Sequence, residues 1–167
     1  VILRSERPSD VAGIRTVHEA AFDSKDEAGL VDALRRDGSL QCSLVATDHE
    51  QILGHVASSL VRVEHQDESI VAGLAPVGVL PDHQRRGIGA ALMEAIIEAS
   101  REDGLAGLVL LGDPAYYGRF GFRPASDFNL RSHYTDGPAF QAMALRVDAL
   151  SVCHGHVHYD PLFDELG

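Results

Sequence analysis

Apolar positions along this chain repeat in stretches that predict a strand, two helices, three strands, a helix, a strand, a short helix and further strands. Ile2 to Glu6 reads as a short strand. Pro8-Ser9-Asp10 signals a helix start with Asp10 as candidate N-cap. Val11, Ile14, Val17, His18 and Ala21 then recur at helical spacing. A second helix is expected over Glu27 to Arg36, with Leu30, Val31 and Leu34 on one face and Asp37-Gly38 as its stop. Leu40 to Thr47 and Ile52 to Val63 read as strands joined by the turn Asp48-His49-Glu50-Gln51, and Val56, Ser58, Leu60 and Arg62 share a face of the second. The polar run His65-Gln66-Asp67-Glu68 makes the next turn, and Ser69 to Leu80 is a further strand interrupted by Gly73, Pro76 and Gly78.

The clearest helix runs from Gly89 to Arg101, where Ala91-Leu92, Ala95-Ile96 and Ala99 keep helical period until Asp103-Gly104 closes it. Leu105 to Leu111 is almost continuously apolar, as a buried strand would be. Asp113 is the expected N-cap of a short helix with Pro114 in its first position and Tyr116 and Tyr117 behind. Phe140 to Val147 and a segment around Val157 complete the strands. Residues 1–167 are therefore expected to form a single domain of the mixed α/β class, with 152–167 as its C-terminal strand and tail.

The formal net charge of -11 argues against nucleic acid or an anionic membrane as main partner, because phosphate neutralisation requires surplus Lys and Arg. No apolar run is long enough to span a bilayer. The apolar start Val1-Ile2-Leu3 breaks at once into Arg4, Glu6 and Arg7, so no signal peptide is read. Two cysteines, Cys42 and Cys153, make no disulfide framework, and a cytoplasmic setting is the expectation.

The candidate chemistry lies where a strand passes through Pro81-Asp82-His83-Gln84-Arg85-Arg86-Gly87-Ile88-Gly89-Ala90 into a helix. A helix N-terminus presents unpaired N–H groups and a partial positive charge. Gly87 and Gly89 remove side chains where a backbone must approach a ligand, and Arg85 and Arg86 add cations. That is an anion cradle suited to pyrophosphate. A Walker loop would need Lys after the glycines, and a dinucleotide fingerprint would need Gly or Ala where Leu92 stands. ATP and NAD fit poorly.

Gln84-Arg85-Arg86-Gly87-Ile88-Gly89 resembles the Gln-x-x-Gly-x-Gly pyrophosphate loop of the GNAT superfamily of N-acetyltransferases. Tyr116-Tyr117-Gly118-Arg119-Phe120-Gly121-Phe122 resembles that family's Tyr-x-x-x-Gly-Phe segment. Leu74-Ala75-Pro76-Val77-Gly78-Val79 and the ending Gly155-His156-Val157-His158-Tyr159 with Phe163 resemble its YhbS-type branch, so the likeness covers nearly the whole chain. The resemblance implies a central, mostly antiparallel sheet of about seven strands, splayed between the fourth and fifth and flanked by helices. It implies acetyl-CoA as cosubstrate and transfer of its acetyl group to a small-molecule or peptide amine by direct attack in a ternary complex. Val77, Val79, Gln84, Arg85, Arg86, Gly87, Ile88, Gly89 and Ala90 would bind CoA, and an N–H near Val77 would face the thioester carbonyl. Tyr117 is the implied general acid, since a phenol is protonated at neutral pH. A homodimer is left open.

Many family members place a Glu on the bulged strand, but Ile70 to Leu80 holds no Glu, Asp or His. Glu19, Glu64, His55 and Asp113 are conceivable bases and none is chosen. Gly112-Asp113-Pro114 stands where relatives carry an Asn that contacts CoA. The missing carboxylate keeps a non-catalytic CoA-binding sensor as the alternative. His154, His156 and His158 alternate on one face of the last strand. No fourth ligand accompanies them, so they are read as the polar face of a terminal edge strand and no metal is assigned. Glu19, Asp23, Asp26, Glu27 and Asp32 are read as a solvated helix face, Phe22 as a core anchor and Cys153 as a buried thiol.

Overall fold

A computed structural model describes residues 1–132 and 137–166; residues 133–136 and 167, the last of the range expected for the domain, lie outside the description. Along the chain stand β1 Ile2–Ser5, α1 Val11–Phe22, α2 Asp26–Arg36, β2 Leu40–Asp48, β3 Gln51–His65, β4 Val71–Val79, α3 Ile88–Glu102, β5 Gly107–Leu111, α4 Pro114–Tyr117, β6 Arg123–Pro124, β7 Leu130–Ser132, β8 Phe140–Ala144 and β9 His154–His158. The class is mixed α/β with mainly antiparallel pairing and, among the described strands, two parallel pairs, β4 with β5 and the short β7 with β9. Two short strands, β6 and β7, raise the number from about seven to nine. Segments of two and three residues are too brief to show a period of two. No helix among the described residues is long and apolar enough to cross a membrane.

The chain packs as two units, one of Val1–Ser59, Ala75–Ile96 and Pro161–Gly167, the other of Leu60–Leu74 and Ile97–Asp160. In the first, β1 pairs antiparallel with β2 from Ile2↔Thr47 to Ser5↔Leu44, and β2 with β3 from Asp48↔Gln51 to Leu40↔Ser59. Ile14 and Val17 of α1, Val31 of α2, Val45 of β2 and Ile52 of β3 form one apolar cluster. Residues Ile52 to Ser59 are buried on both faces of β3. On one face a Cβ at Gly54 would stand 3.0 Å from Leu92 and 3.1 Å from Ile88, so the missing side chain brings α3 against the strand. The next residue, His55, points the other way and meets His18 of α1.

Helix α2 stops as its sequence predicts. Gly38 takes a φ of 71°, and Ser39 N–H donates to the Leu34 carbonyl at 2.8 Å. The start of α1 differs from expectation. The Asp10 carboxylate makes no cap bond to that helix. It accepts from Arg4 Nη1 and Nη2 at 2.6 and 3.0 Å and from Arg7 N–H at 2.7 Å, closing the single 3-10 turn Pro8–Asp10 instead. Arg4 and the Arg7 N–H between them occupy the oxygens that a cap bond to α1 would need.

In the second unit β4 runs parallel to β5 from Val71↔Gly107 to Gly73↔Val109, and β4 then continues to Val79. β5 pairs antiparallel with β8, which also pairs with β6. β3 alternates here: Val61 and Val63 are buried, while Leu60, Arg62 and Glu64 are exposed. The face expected to hold Val56, Ser58, Leu60 and Arg62 is thus buried at its first two positions and exposed at its last two. β9 lies between β3, antiparallel at Arg62↔His158, and β7, parallel at Leu130↔Gly155. The expected edge strand is therefore an interior one. Val61, Val63, Val71, Val109, Leu130, Phe140, Leu150 and Val157 belong to the core it closes. Each such side chain stabilises by about 1.5–3 kcal/mol on burial.

Candidate functional site

The end of β4 and the loop behind it lie in the first unit. Leu80 N–H donates to the Leu53 carbonyl of β3 at 2.9 Å, and Pro81–His83 then make one 3-10 turn. Gln84 reaches back: its Nε2 donates to the Val79 carbonyl at 3.0 Å and ties the loop to the strand. Arg85 and Gly87 both have left-handed backbones, with φ of 64° and 84°. A side chain in that region costs about 1–2 kcal/mol, so the turn at Arg85 is a strained one.

Helix α3 begins directly afterwards. The Ala91 N–H donates to the Gly87 carbonyl at 3.0 Å. The N–H groups of Ile88, Gly89 and Ala90 precede that first turn and have no carbonyl one turn back to meet. Ile88 is buried and seats the helix start, whereas Arg85, Arg86 and Gly87 are exposed. Three backbone donors, the positive end of a 15-residue helix and two exposed guanidinium groups are an arrangement chemically suited to an anion such as a diphosphate. Val77 and Val79 lie on the last part of β4, and Gln84 ties the loop that runs to Ala90 back to that strand. A Cβ at Gly87 would meet nothing within 4 Å, so the effect of Gly87→Ala comes from backbone strain alone. That variant is expected to bind CoA about tenfold more weakly by calorimetry while its fold is kept. An unchanged dissociation constant would show that the turn geometry does not matter to the ligand.

Gly78 is a close approach of a different kind. A Cβ there would lie 2.8 Å from Nδ1 of His18 and 3.4 Å from Phe22. His18 and His55 are both 0% exposed. His18 Nε2 and His55 Nδ1 are 2.7 Å apart, and His55 Nε2 is 2.7 Å from Ser43 Oγ. Ser43 Oγ donates to Glu6 Oε1 at 2.6 Å, and Glu6 accepts a two-pronged pair from Arg35, Nε at 2.7 Å and Nη2 at 2.8 Å. Arg35 also donates to Asp32, which pairs with Arg15, so Asp32 belongs to an ion network, whereas Asp23 and Asp26 are solvent-exposed as expected. Phe22 stacks on His18 at 5.8 Å but is 37% exposed, so it is not the buried core anchor expected from the sequence.

Burial and then the Arg35 charge push His18 down to about 4. Burial, with His18 and Arg35 as further causes, holds His55 well below the ordinary imidazole value. Burial works to raise the Glu6 carboxyl, but hydrogen bonds from Arg35 and Ser43 and the Arg35 charge outweigh it and keep the group low. This chain of residues has no local signature. One signal was present: an imidazole at position 18 on the apolar face of α1.

Tyr117 lies in the second unit. The Asp113 side chain accepts from Ala115 N–H at 2.9 Å and Pro114 opens the turn, as the sequence predicts. Tyr117 stands edge-on to Tyr116 at 4.8 Å and to Phe122 at 6.3 Å, and its ring leaves no room for a side chain at Gly112. Burial, and secondarily Tyr116, raise the phenol above its ordinary value, so it stays protonated throughout the neutral range.

Most of the conceivable bases are engaged elsewhere. Asp113 is a cap, Glu64 accepts the His156 N–H at 3.0 Å, and Glu19 is 3.9 Å from Arg15. Cys153 is buried and its thiol is pushed up by burial. His154 stacks on His65 at 4.5 Å, and the rings of His156 and His158 are 6.3 Å apart.

Comparison with known proteins gives a consistent picture. The family described as acetyltransferase (GNAT) domain matches residues 3–125. The chain is 40% identical over 168 residues to the uncharacterized N-acetyltransferase YhbS of Escherichia coli strain K12, covering 99% of this chain and 100% of that protein. The crystal structure of the Escherichia coli YhbS protein in complex with CoA superposes with a TM-score of 0.94 at 39% identity, over 99% of this chain and 93% of the other. A GNAT family acetyltransferase from Brucella melitensis in complex with acetyl-CoA gives 0.82 at 39% identity, over 98% and 97%.

Proposed function

Because the chain belongs to the GNAT acetyltransferase family, we propose that it transfers an acetyl group from acetyl-CoA to the primary amine of a small molecule or peptide, by direct attack in a ternary complex. It is an acyltransferase, and acetyl-CoA supplies the activated acetyl thioester. The observation that carries the reading is the loop from Gln84 to Ala90, where free N–H groups at the start of α3 meet Arg85 and Arg86. The two relatives of known structure at 39% identity were solved with CoA and with acetyl-CoA.

Residues 1–167 act as one functional domain in this reading, in a cytoplasmic setting. Backbone groups of Val77 and Val79 hold the pantetheine arm, and the loop holds the pyrophosphate. Tyr117 gives its proton to the departing sulfur. A phenol raised by burial is present as the acid at every neutral pH, which supports that role.

Acetyl-CoA should raise the melting temperature, and free CoA should be released when amines are supplied. Tyr117→Phe is expected to lower turnover by roughly 10- to 100-fold and leave the acetyl-CoA-induced melting shift intact. Stabilisation without CoA release against a broad amine panel would instead favour a non-catalytic CoA sensor, the reading favoured by the absence of a carboxylate between Ile70 and Leu80.

A further inference from the structure

The buried chain from His18 of α1 to Glu6 fixes its own hydrogen positions. Arg35 keeps Glu6 ionised, so the Glu6 carboxylate accepts only. Ser43 therefore donates to Glu6, and its oxygen accepts a hydrogen bond from His55 Nε2–H. A neutral imidazole with hydrogen on Nε2 has a bare Nδ1, so His55 accepts at Nδ1 from His18 Nε2–H. One nitrogen remains. His18 Nδ1 carries a lone pair, is buried, and has no hydrogen-bond partner among the described residues. It faces Gly78, between Val77 and Val79.

A buried acceptor left unsatisfied costs roughly 1–3 kcal/mol, and such a cost is commonly retained where it serves the chemistry. We propose that His18 Nδ1 is the proton acceptor for the attacking amine, with His55 and Ser43 transmitting the countercharge of Glu6 to the imidazolium that forms. The inference rests on the acetyl-transfer reading. The amine lone pair makes the new C–N bond, the C–S bond breaks with its pair on sulfur, and the amine proton passes to His18 Nδ1. Tyr117 protonates the sulfur separately; as product leaves, His18 returns its proton to solvent and the Tyr117 phenolate takes one back from solvent, which closes the cycle. Gly78 is what admits this arrangement: any side chain there would press on Nδ1.

The groups around His18 are Phe22 on its own helix, His55 of β3, Gly78 of β4 and, beyond His55, Ser43, Glu6 and Arg35. His55, Ser43 and Glu6 act through His18 and are positioning residues. This assigns a base where the stretch from Ile70 to Leu80 itself offers none.

The first measurement needs no turnover. Nitrogen-15 NMR of the free protein, labelled at histidine, should find His18 neutral with hydrogen on Nε2 and a lone pair on Nδ1. A proton on Nδ1 overturns the proposal. The second uses His18→Gln, which keeps a donor towards His55 but has no basic nitrogen at the Nδ1 position. It should retain the acetyl-CoA-induced melting shift and the amine KM and lose about 100-fold in kcat. His18→Ala should regain rate with added imidazoles, more so for the more basic ones. A His18→Gln rate within about threefold of wild type overturns the inference, as does a loss that no imidazole rescues. A wild-type protein that binds acetyl-CoA but acetylates no amine overturns the transfer reading, and the inference falls with it.

Discussion

Replacing Arg35 by leucine is expected to remove about 3 kcal/mol of folding stability and lower the melting temperature by roughly 10 °C. Arg35 holds the half-buried Glu6 carboxylate with two short bonds and binds Asp32 with a third. Taking away one member of such a pair strands the other charge, which costs more than the pair contributes when complete. The figure is set at the low end for buried pairs because both side chains keep some contact with water, which screens them. The double variant Glu6→Gln with Arg35→Leu should recover at least part of the loss, because no stranded charge remains. Calorimetry at neutral pH on the two single variants and the double one closes the cycle. A single-variant loss below about 1 kcal/mol would mean that the ion pair is only a surface contact.

A second large effect follows acidification. His18 and His55 are neutral in the folded protein, with His18 pushed down to about 4 and His55 also well below 6.5. In the unfolded chain both take up protons near the ordinary value of 6.5. Below that pH the unfolded state binds protons that the folded state does not, so stability is complete above it and is lost as pH falls towards 4. The His18 shift alone amounts to roughly 3 kcal/mol over that range. Glu6 and Asp10, both held below their ordinary values, add a further loss at lower pH as they protonate. Urea midpoints at pH 7.5, 6 and 5 should therefore descend, and His18→Gln should flatten the descent. Equal pH slopes for wild type and His18→Gln would mean that His18 titrates alike in both states.

Local signals in the sequence were reliable where local physics decides the structure. The period of α3, the stop of α2 at Gly38 and the cap at Asp113 each depend on neighbours a few residues away, and each is found where expected. The Gln84 to Ala90 loop is equally legible, because two glycines before a helical period admit few geometries. The chain of Glu6, His18, Arg35, Ser43 and His55 was not legible, since it is assembled from α1, α2, β2, β3 and the residue just after β1. No spacing rule links five positions that only the register of the strands brings together. Among them, only His55 could be named in advance as a conceivable base. The edge position expected for β9 failed for a related reason. Its neighbours are β3 and the three-residue β7, a strand too short to show in a hydrophobic pattern.

The bond from Gln84 to the Val79 carbonyl bears on rates as well as geometry. It holds the loop against its strand with Ile88 already seated under the helix, so a diphosphate meets a finished receptor. Little chain entropy is then spent on arrival, and capture is governed by diffusion and by the field of Arg85 and Arg86. Association should slow as ionic strength rises, while the dissociation rate stays nearly constant.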